Sequence, residues 1–228
     1  MPIRWSSGLV DKYIAPSISK FNKCSAPELV ELHPEAPHWL ANYFQNSIFR
    51  RQFTGTYRQY AQNLLYRAQI SFDRYHEARR RTQEYLEKGS PENPALNLYF
   101  RATSEWEGCL LNLQIFIDIL NRMHKDIGDP PQFSDNDGSV EQRAYAIANT
   151  IKHWGSDLAA GRHTENHTIP MWLTNQGFCT RLHQLTYPEL GQIVSEVAGL
   201  AKELQDPASM TAEPLNSGKG SEDAKADV

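Results

Sequence analysis

The chain has 228 residues, 40% hydrophobic and 11% aromatic, enough to build one helical domain with a full core. Its net charge of −4 argues against coating of duplex DNA by bulk positive charge, which rests on many phosphate neutralisations, but it leaves room for a local basic patch. Cys24, Cys109 and Cys179 are widely spaced and form no Cys-x-x-Cys, so neither a disulfide framework nor a cysteine zinc site is indicated.

Residues 1 to about 36 read as irregular, because Pro16, Pro27, Pro34 and the following Pro37 interrupt any long element. No apolar leader core is visible there, and no apolar run approaches the ~20 residues of a membrane span. A cytoplasmic chain without membrane association is expected. Ser25-Ala26-Pro27-Glu28 has the spacing of a capping box and predicts one short helical turn. A short amphipathic helix follows from about Trp39 to Phe49, with Leu40, Tyr43, Phe44 and Ile48 inward.

The next segment carries Tyr57, Ala61, Leu64, Ala68, Phe72, Tyr75, Ala78, Thr82 and Tyr85 at alternating spacings of three and four, a helical stripe. At 1.5 Å per residue the helix would be roughly 50 Å long before Gly89-Ser90-Pro91 ends it. Its polar side carries Arg67, Arg74 and the run Arg79-Arg80-Arg81. A second long helix starts near Pro94, a residue suited to a first turn, and buries Leu96, Tyr99, Thr103, Trp106, Leu110, Leu113, Ile117 and Leu120. Two such helices joined by a short turn imply an antiparallel hairpin. The second helix ends near Lys125, and Asp126 to Gly138 reads as a loop.

A third helix spans about Ser139 to Ala160 and stops at Gly161, with Val140, Ala144, Ile147, Ile151, Trp154 and Leu158 as its core stripe. A fourth begins after the capping-box pattern Thr186-Tyr187-Pro188-Glu189 and buries Leu190, Val194, Val197, Ala201 and Leu204. Between them, the alternation of Ile169, Met171 and Leu173 before the turn signal Thr174-Asn175-Gln176-Gly177 predicts a short β-hairpin or extended flap. The expected fold is all-α: a four-helix up-down bundle with two long antiparallel helices, short N-terminal helices and a small β-hairpin insertion. Residues 1–54 form an N-terminal extension, 55–205 the bundle with its insertion at 162–186, and 206–228 a polar tail expected to be disordered.

On the third helix Asn149 and His153 lie four apart and, with Gln142, Ala146 and Ser156, opposite the apolar stripe. An imidazole there can act as general acid or base near neutral pH, an amide can hold a phosphate or ribose oxygen, and Lys152 adds a donor. A hydrated helix face explains the same pattern without chemistry. Likewise, Arg79, Arg80 and Arg81 read either as a phosphate-binding strip or, more simply, as a solvated face paired with Glu77, Glu84 and Glu87. His163 and His167 with His153 make a weak zinc set, since no acidic or cysteine ligand stands at a telling spacing; no metal and no cofactor are expected. Trp154, Trp172 and Phe178 read as packing of core and flap rather than as a base-stacking platform.

The helical arrangement, with a polar motif ending in His153 on the third helix, resembles the HEPN superfamily. Its members are small all-helical proteins, often homodimers, and many are RNases of toxin–antitoxin or phage-defence systems. The family motif is an Arg, four to six residues, then a His, with Asn often following the Arg. Asn149 and His153 match, but Ala148 or Ala146 stands where the Arg should be. Arg143, ten residues before His153 and on another side of the helix, does not replace it within one chain. The resemblance implies metal-independent endoribonuclease chemistry or RNA binding through a dimer groove. His153, Asn149 and Lys152 would act at the site, and Arg143 with Arg79, Arg80 and Arg81 would bind RNA. Without the motif Arg, a non-catalytic version stands beside the RNase. A regulatory helical module serving a protein partner or antitoxin is the alternative class.

Overall fold

The computed structural model describes residues 7–50, 55–89, 95–134, 136–162 and 168–205. The structure is mostly helical (70%), with six α-helices and one small antiparallel sheet among the described residues. The helices are α1 (Ser7–Tyr13), α2 (Trp39–Arg50), α3 (Gly55–Lys88), α4 (Leu96–Ile127), α5 (Val140–Ala159) and α6 (Tyr187–Gln205). Strands β1 (Trp172–Leu173), β2 (Gly177–Cys179) and β3 (Gln184–Thr186) follow the order β1-β2-β3. No helix among the described residues is long and apolar enough to cross a membrane.

The long helices α3 and α4 run antiparallel, because residues early in α3 meet residues late in α4. Tyr60 bonds Asp126, Arg67 bonds Asn112, Arg74 bonds Glu105, and the Tyr85 ring meets that of Tyr99. The three-four stripe of α3 is buried from Ala61 to Tyr85, while Tyr57 at its start is exposed. Trp106 of α4 is sealed in the core. Its indole N–H donates to Thr82 Oγ1 at 2.9 Å, and that hydroxyl donates to the Ala78 carbonyl, so a buried polar pair is satisfied within α3 and α4. Against this hairpin, α6 packs on α3 and α5 packs on α4, with β3 beside both α5 and α6. The predicted capping box of α6 is present: Glu189 Oε2 accepts from the Thr186 N–H at 2.8 Å, and Thr186 Oγ1 accepts from the Glu189 N–H at 3.3 Å. At its start, α4 is first described at Ala95, so Pro94 lies outside the described residues.

Four expectations are corrected. Ser25-Ala26-Pro27-Glu28 opens no helix. The Glu28 carboxylate accepts from the N–H groups of Leu29 and Val30 at 3.1 and 3.2 Å and pairs with Arg79, which holds the segment as a turn against α3. In α2 the buried face is Trp39 and Tyr43, whereas Phe44 and Ile48 are exposed. The flank carrying Asn42 and Asn46 is turned to the end of α6, where both side chains bond Gln205. The expected flap is part of the core: Met171, Leu173, Phe178 and Leu185 are buried, and the Phe178 ring sits edge-on to Trp106 and Tyr187. The N-terminal segment is also integral, since Val10, Ala15 and Ile18 are fully buried. Asn175 in the β1–β2 turn accepts from the N–H groups of Asn22 and Lys23 and donates to the Lys20 carbonyl. The tail, residues 206–228, lies outside the described residues.

Candidate functional site

Helix α5 starts at an N-cap, Ser139, whose hydroxyl accepts from the Gln142 N–H at 3.1 Å. It ends at Gly161, which takes the left-handed conformation (φ 66°) that favours glycine. Two flanks of α5 are anchored. Toward α4, Tyr145 donates to Asp118 at 2.7 Å, and Gln114 donates to Asn149 Oδ1. Toward β3 and α6, Arg143 donates to the Gln184 carbonyl at 3.1 Å and forms a two-pronged ion pair with Glu189, the shorter contact 2.7 Å. That guanidinium holds the Glu189 carboxyl down at about 2.

The sequence predicts Asn149 and His153 as one outward pair, and the structure separates their environments. Asn149 is half-buried and bonded to Gln114, which is itself only 2% exposed. His153 and Lys152 are exposed, and the His153 carbonyl accepts from Ser156 Oγ. The difference arises because α5 has two partners, not one. The apolar residues mark the mean of the α4 and β3/α6 directions, and Asn149 falls on the α4 flank rather than opposite the core. Ala148, at the position where the family motif has Arg, is 0% exposed. A guanidinium there would be buried in the core, whereas Ala146, the other position the motif allows, is half-buried. Of the predicted core stripe, Ala144 and Ile147 are buried, Trp154 is half-buried and Leu158 is exposed.

The predicted RNA-binding arginines are engaged within the chain. Arg79 donates to the Ala26 carbonyl and pairs with Glu28. Arg80 binds Glu77, and Arg81 binds both Glu77 and Glu84. The structure therefore brings Arg79, Arg80 and Arg81 together with their acidic neighbours and not with His153 or Arg143.

A cleft of about 240 Å³ opens between α5 and the sheet segment. From α5 come Thr150, Trp154 and Asp157, spaced four and three apart on one face. From the other side come Ile169, Pro170, Trp172 and Thr180, with Arg162, Arg181 and Leu182 at the cleft as well. Arg181 donates to the Arg162 carbonyl at 3.3 Å, and Arg162, its side chain 74% exposed, reaches Asp157 at 3.4 Å. His153 stands about 60° around the helix from Thr150, on the flank of this lining face. Sequence reasoning assigned no role to Asp157, Arg162 or Arg181. The usable signal was the stripe Thr150, Trp154, Asp157, which turns polar where a core stripe stays apolar.

A second, shallower groove of about 450 Å³ lies on the outer face of α3 and α4, with Arg67, Ile70, Glu107 and Leu111 in its lining. Burial pushes the Glu107 carboxyl up to about 7. Among the described residues, no group of three or more His, Cys, Asp or Glu side chains is placed to hold a metal; His163 and His167 lie outside them. Compared with protein-family models, with curated proteins and with solved structures, the chain matches none.

Proposed function

We propose that the protein is an RNA-binding protein of HEPN type, acting as a homodimer in a bacterial defence or toxin–antitoxin setting, with α3 to α6 as its four-helix up-down bundle. The observation that carries this reading is the cleft beside His153, where two tryptophans and two arginines meet. Aromatic faces take unpaired bases, and exposed guanidinium groups take phosphates. Single-stranded RNA lies along the exposed side of α5, past His153 and Lys152, with Arg162 and Arg181 on its backbone.

Within one chain no arginine reaches His153, since Ala148 is buried and Arg143 is held by Glu189, and the neighbouring cation is the exposed Lys152. Binding is the primary activity, and strand cleavage requires a cation, from Lys152 or from a second copy, to steady the phosphorane charge. The test is a gel-shift and degradation assay on single-stranded RNA with wild type, Arg181→Ala and His153→Ala. Binding weakened at least about fivefold by Arg181→Ala, with a steeper loss at higher salt, is the expected result. RNA binding that ignores Arg181 sinks the cleft as the site; degradation lost in His153→Ala would assign catalysis to His153. The alternative, a regulatory module for a protein partner, draws on the exposed Phe100 and Ile115 along α4. It is favoured if the purified chain binds no RNA at all.

A further inference from the structure

We infer that the cleft between α5 and the sheet is a pocket for one unpaired guanine base; this rests on the RNA-binding reading above. At about 240 Å³ it falls below the ~300–1,000 Å³ of sites for drug-sized ligands, and it suits one planar heterocycle. The half-buried Trp154, with Ile169, Pro170 and the small exposed part of Trp172 (7% exposed), gives the cleft an apolar side against which such a ring can pack. Stacking of this kind accepts any base, so discrimination has to come from the polar wall.

Apart from Arg162 and Arg181, which donate, its polar side chains are Thr150, Asp157 and Thr180. The Thr150 hydroxyl donates to the Ala146 carbonyl at 3.0 Å, and the Thr180 hydroxyl donates to the His183 carbonyl at 3.3 Å. Thr150 Oγ1 has lone pairs left to offer, whereas Thr180 Oγ1 already accepts from the N–H groups of Leu182 and His183 at 3.3 and 2.9 Å. The Asp157 carboxylate only accepts, and among the described residues its side chain is held by Arg162 alone, at 3.4 Å. That contact is long for a charge-assisted bond, and Arg162 is free to turn into solvent. Acceptors select an edge of donors. Guanine carries N1–H and an N2 amino group side by side, which one carboxylate accepts together. Adenine and cytosine each alternate an amine with a ring-nitrogen acceptor, and uracil sets its single N–H between two carbonyls. Each of these would place lone pair against lone pair. The base must be unpaired, because in a duplex this edge is occupied. Arg162 and Arg181 are left for the phosphates of the same strand.

The test is calorimetric titration of the full chain with GMP, AMP, CMP and UMP, for wild type, Asp157→Asn, Trp154→Ala and Arg181→Ala. Melting curves check that each variant is folded, and none of the three side chains is fully buried. GMP should bind at least about tenfold tighter than the other three. Asp157→Asn should abolish that preference, and Trp154→Ala should weaken GMP about tenfold or more. Arg181→Ala should weaken GMP but not guanosine. Equal affinity for all four nucleotides, or a guanine preference that survives Asp157→Asn, overturns the pocket. A parallel titration with an adenine-only oligonucleotide separates the two ideas. If that RNA binds while GMP does not, the guanine pocket falls and RNA binding stands. If GMP binds while neither that RNA nor a guanine-containing one does, RNA binding falls. If nothing binds, both fall.

Discussion

At the scale of single residues, Arg143 and Glu189 show how a side chain that looks functional becomes structural. Read along α5, Arg143 is a cation near a histidine motif. In space it joins α5 to the cap of α6 through a carboxylate that also accepts from the Thr186 N–H and hydroxyl. Arg143→Ala should cost about 1–2 kcal/mol in urea denaturation at neutral pH, since the pair is half-exposed and the cap remains. The Glu189 carboxyl is depressed from 4.5 to about 2, so its contribution is present above pH 4.5 and is lost as pH falls toward 2. The gap between wild type and Arg143→Ala should narrow over that window, and a gap constant with pH would mean the pair does not act through charge. The partner of Arg143 was not legible in the sequence, because Glu189 is 46 residues away and its own capping motif already explained it. Asn149 failed for a related reason: a helical wheel has one core direction, and α5 has two neighbours.

At the scale of elements, the long helices were legible because their buried residues repeat along one dimension. The three-four stripes of α3 and α4, the cap and stripe of α6, and the boundaries of α5 all follow from local spacing. The sheet did not. Its strands are two or three residues long, too short for alternation to show which face is inward. Their burial comes from Trp106 and Tyr187, which no local pattern connects to Phe178. The same limit hid the contact between α6 and the N-terminal segment. A Cβ on Gly191 would strike the Pro27 ring and lie 3.0 Å from the Tyr75 hydroxyl, which itself donates to the Pro27 carbonyl. Gly191→Ala gains helix propensity but forces the segment away from α3. A net loss of about 1–3 kcal/mol is expected in thermal or urea unfolding. A variant more stable than wild type would show that the segment yields at little cost.

At the scale of the whole molecule, residues 26–38 lie between α3 and α6 and carry a titratable seam. His33 bonds Ser195 of α6 at 3.0 Å, and His76 of α3 lies 3.3 Å from Glu28. Burial lowers both imidazoles below their ordinary 6.5, outweighing the carboxylates Glu35 and Glu28 that favour the charged forms. A base with a lowered folded value binds its proton more readily when unfolded. The seam is therefore stable above about 6.5 and weakens as pH falls below it. Hydrogen exchange of the amides in this segment should accelerate between pH 7.5 and 5.5, after correction for intrinsic rates, and less so in His76→Gln. Uniform protection across that range would sink the seam as the acid-sensitive part. The overall division into extension and bundle was only half legible: proline spacing marks where helices stop, but not that the segment between them is part of the core.

Asn42 and Asn46 of α2 bond Gln205 at the far end of α6, spanning 163 and 159 residues of chain. During synthesis α2 therefore emerges long before this partner exists. The α3–α4 hairpin can close as soon as it leaves the ribosome, while the side of α2 that meets α6 waits uncovered. The last turn of α6 thus acts as a completion signal, and a chain cut short before residue 205 would stay tethered at one end and open to a chaperone or a protease.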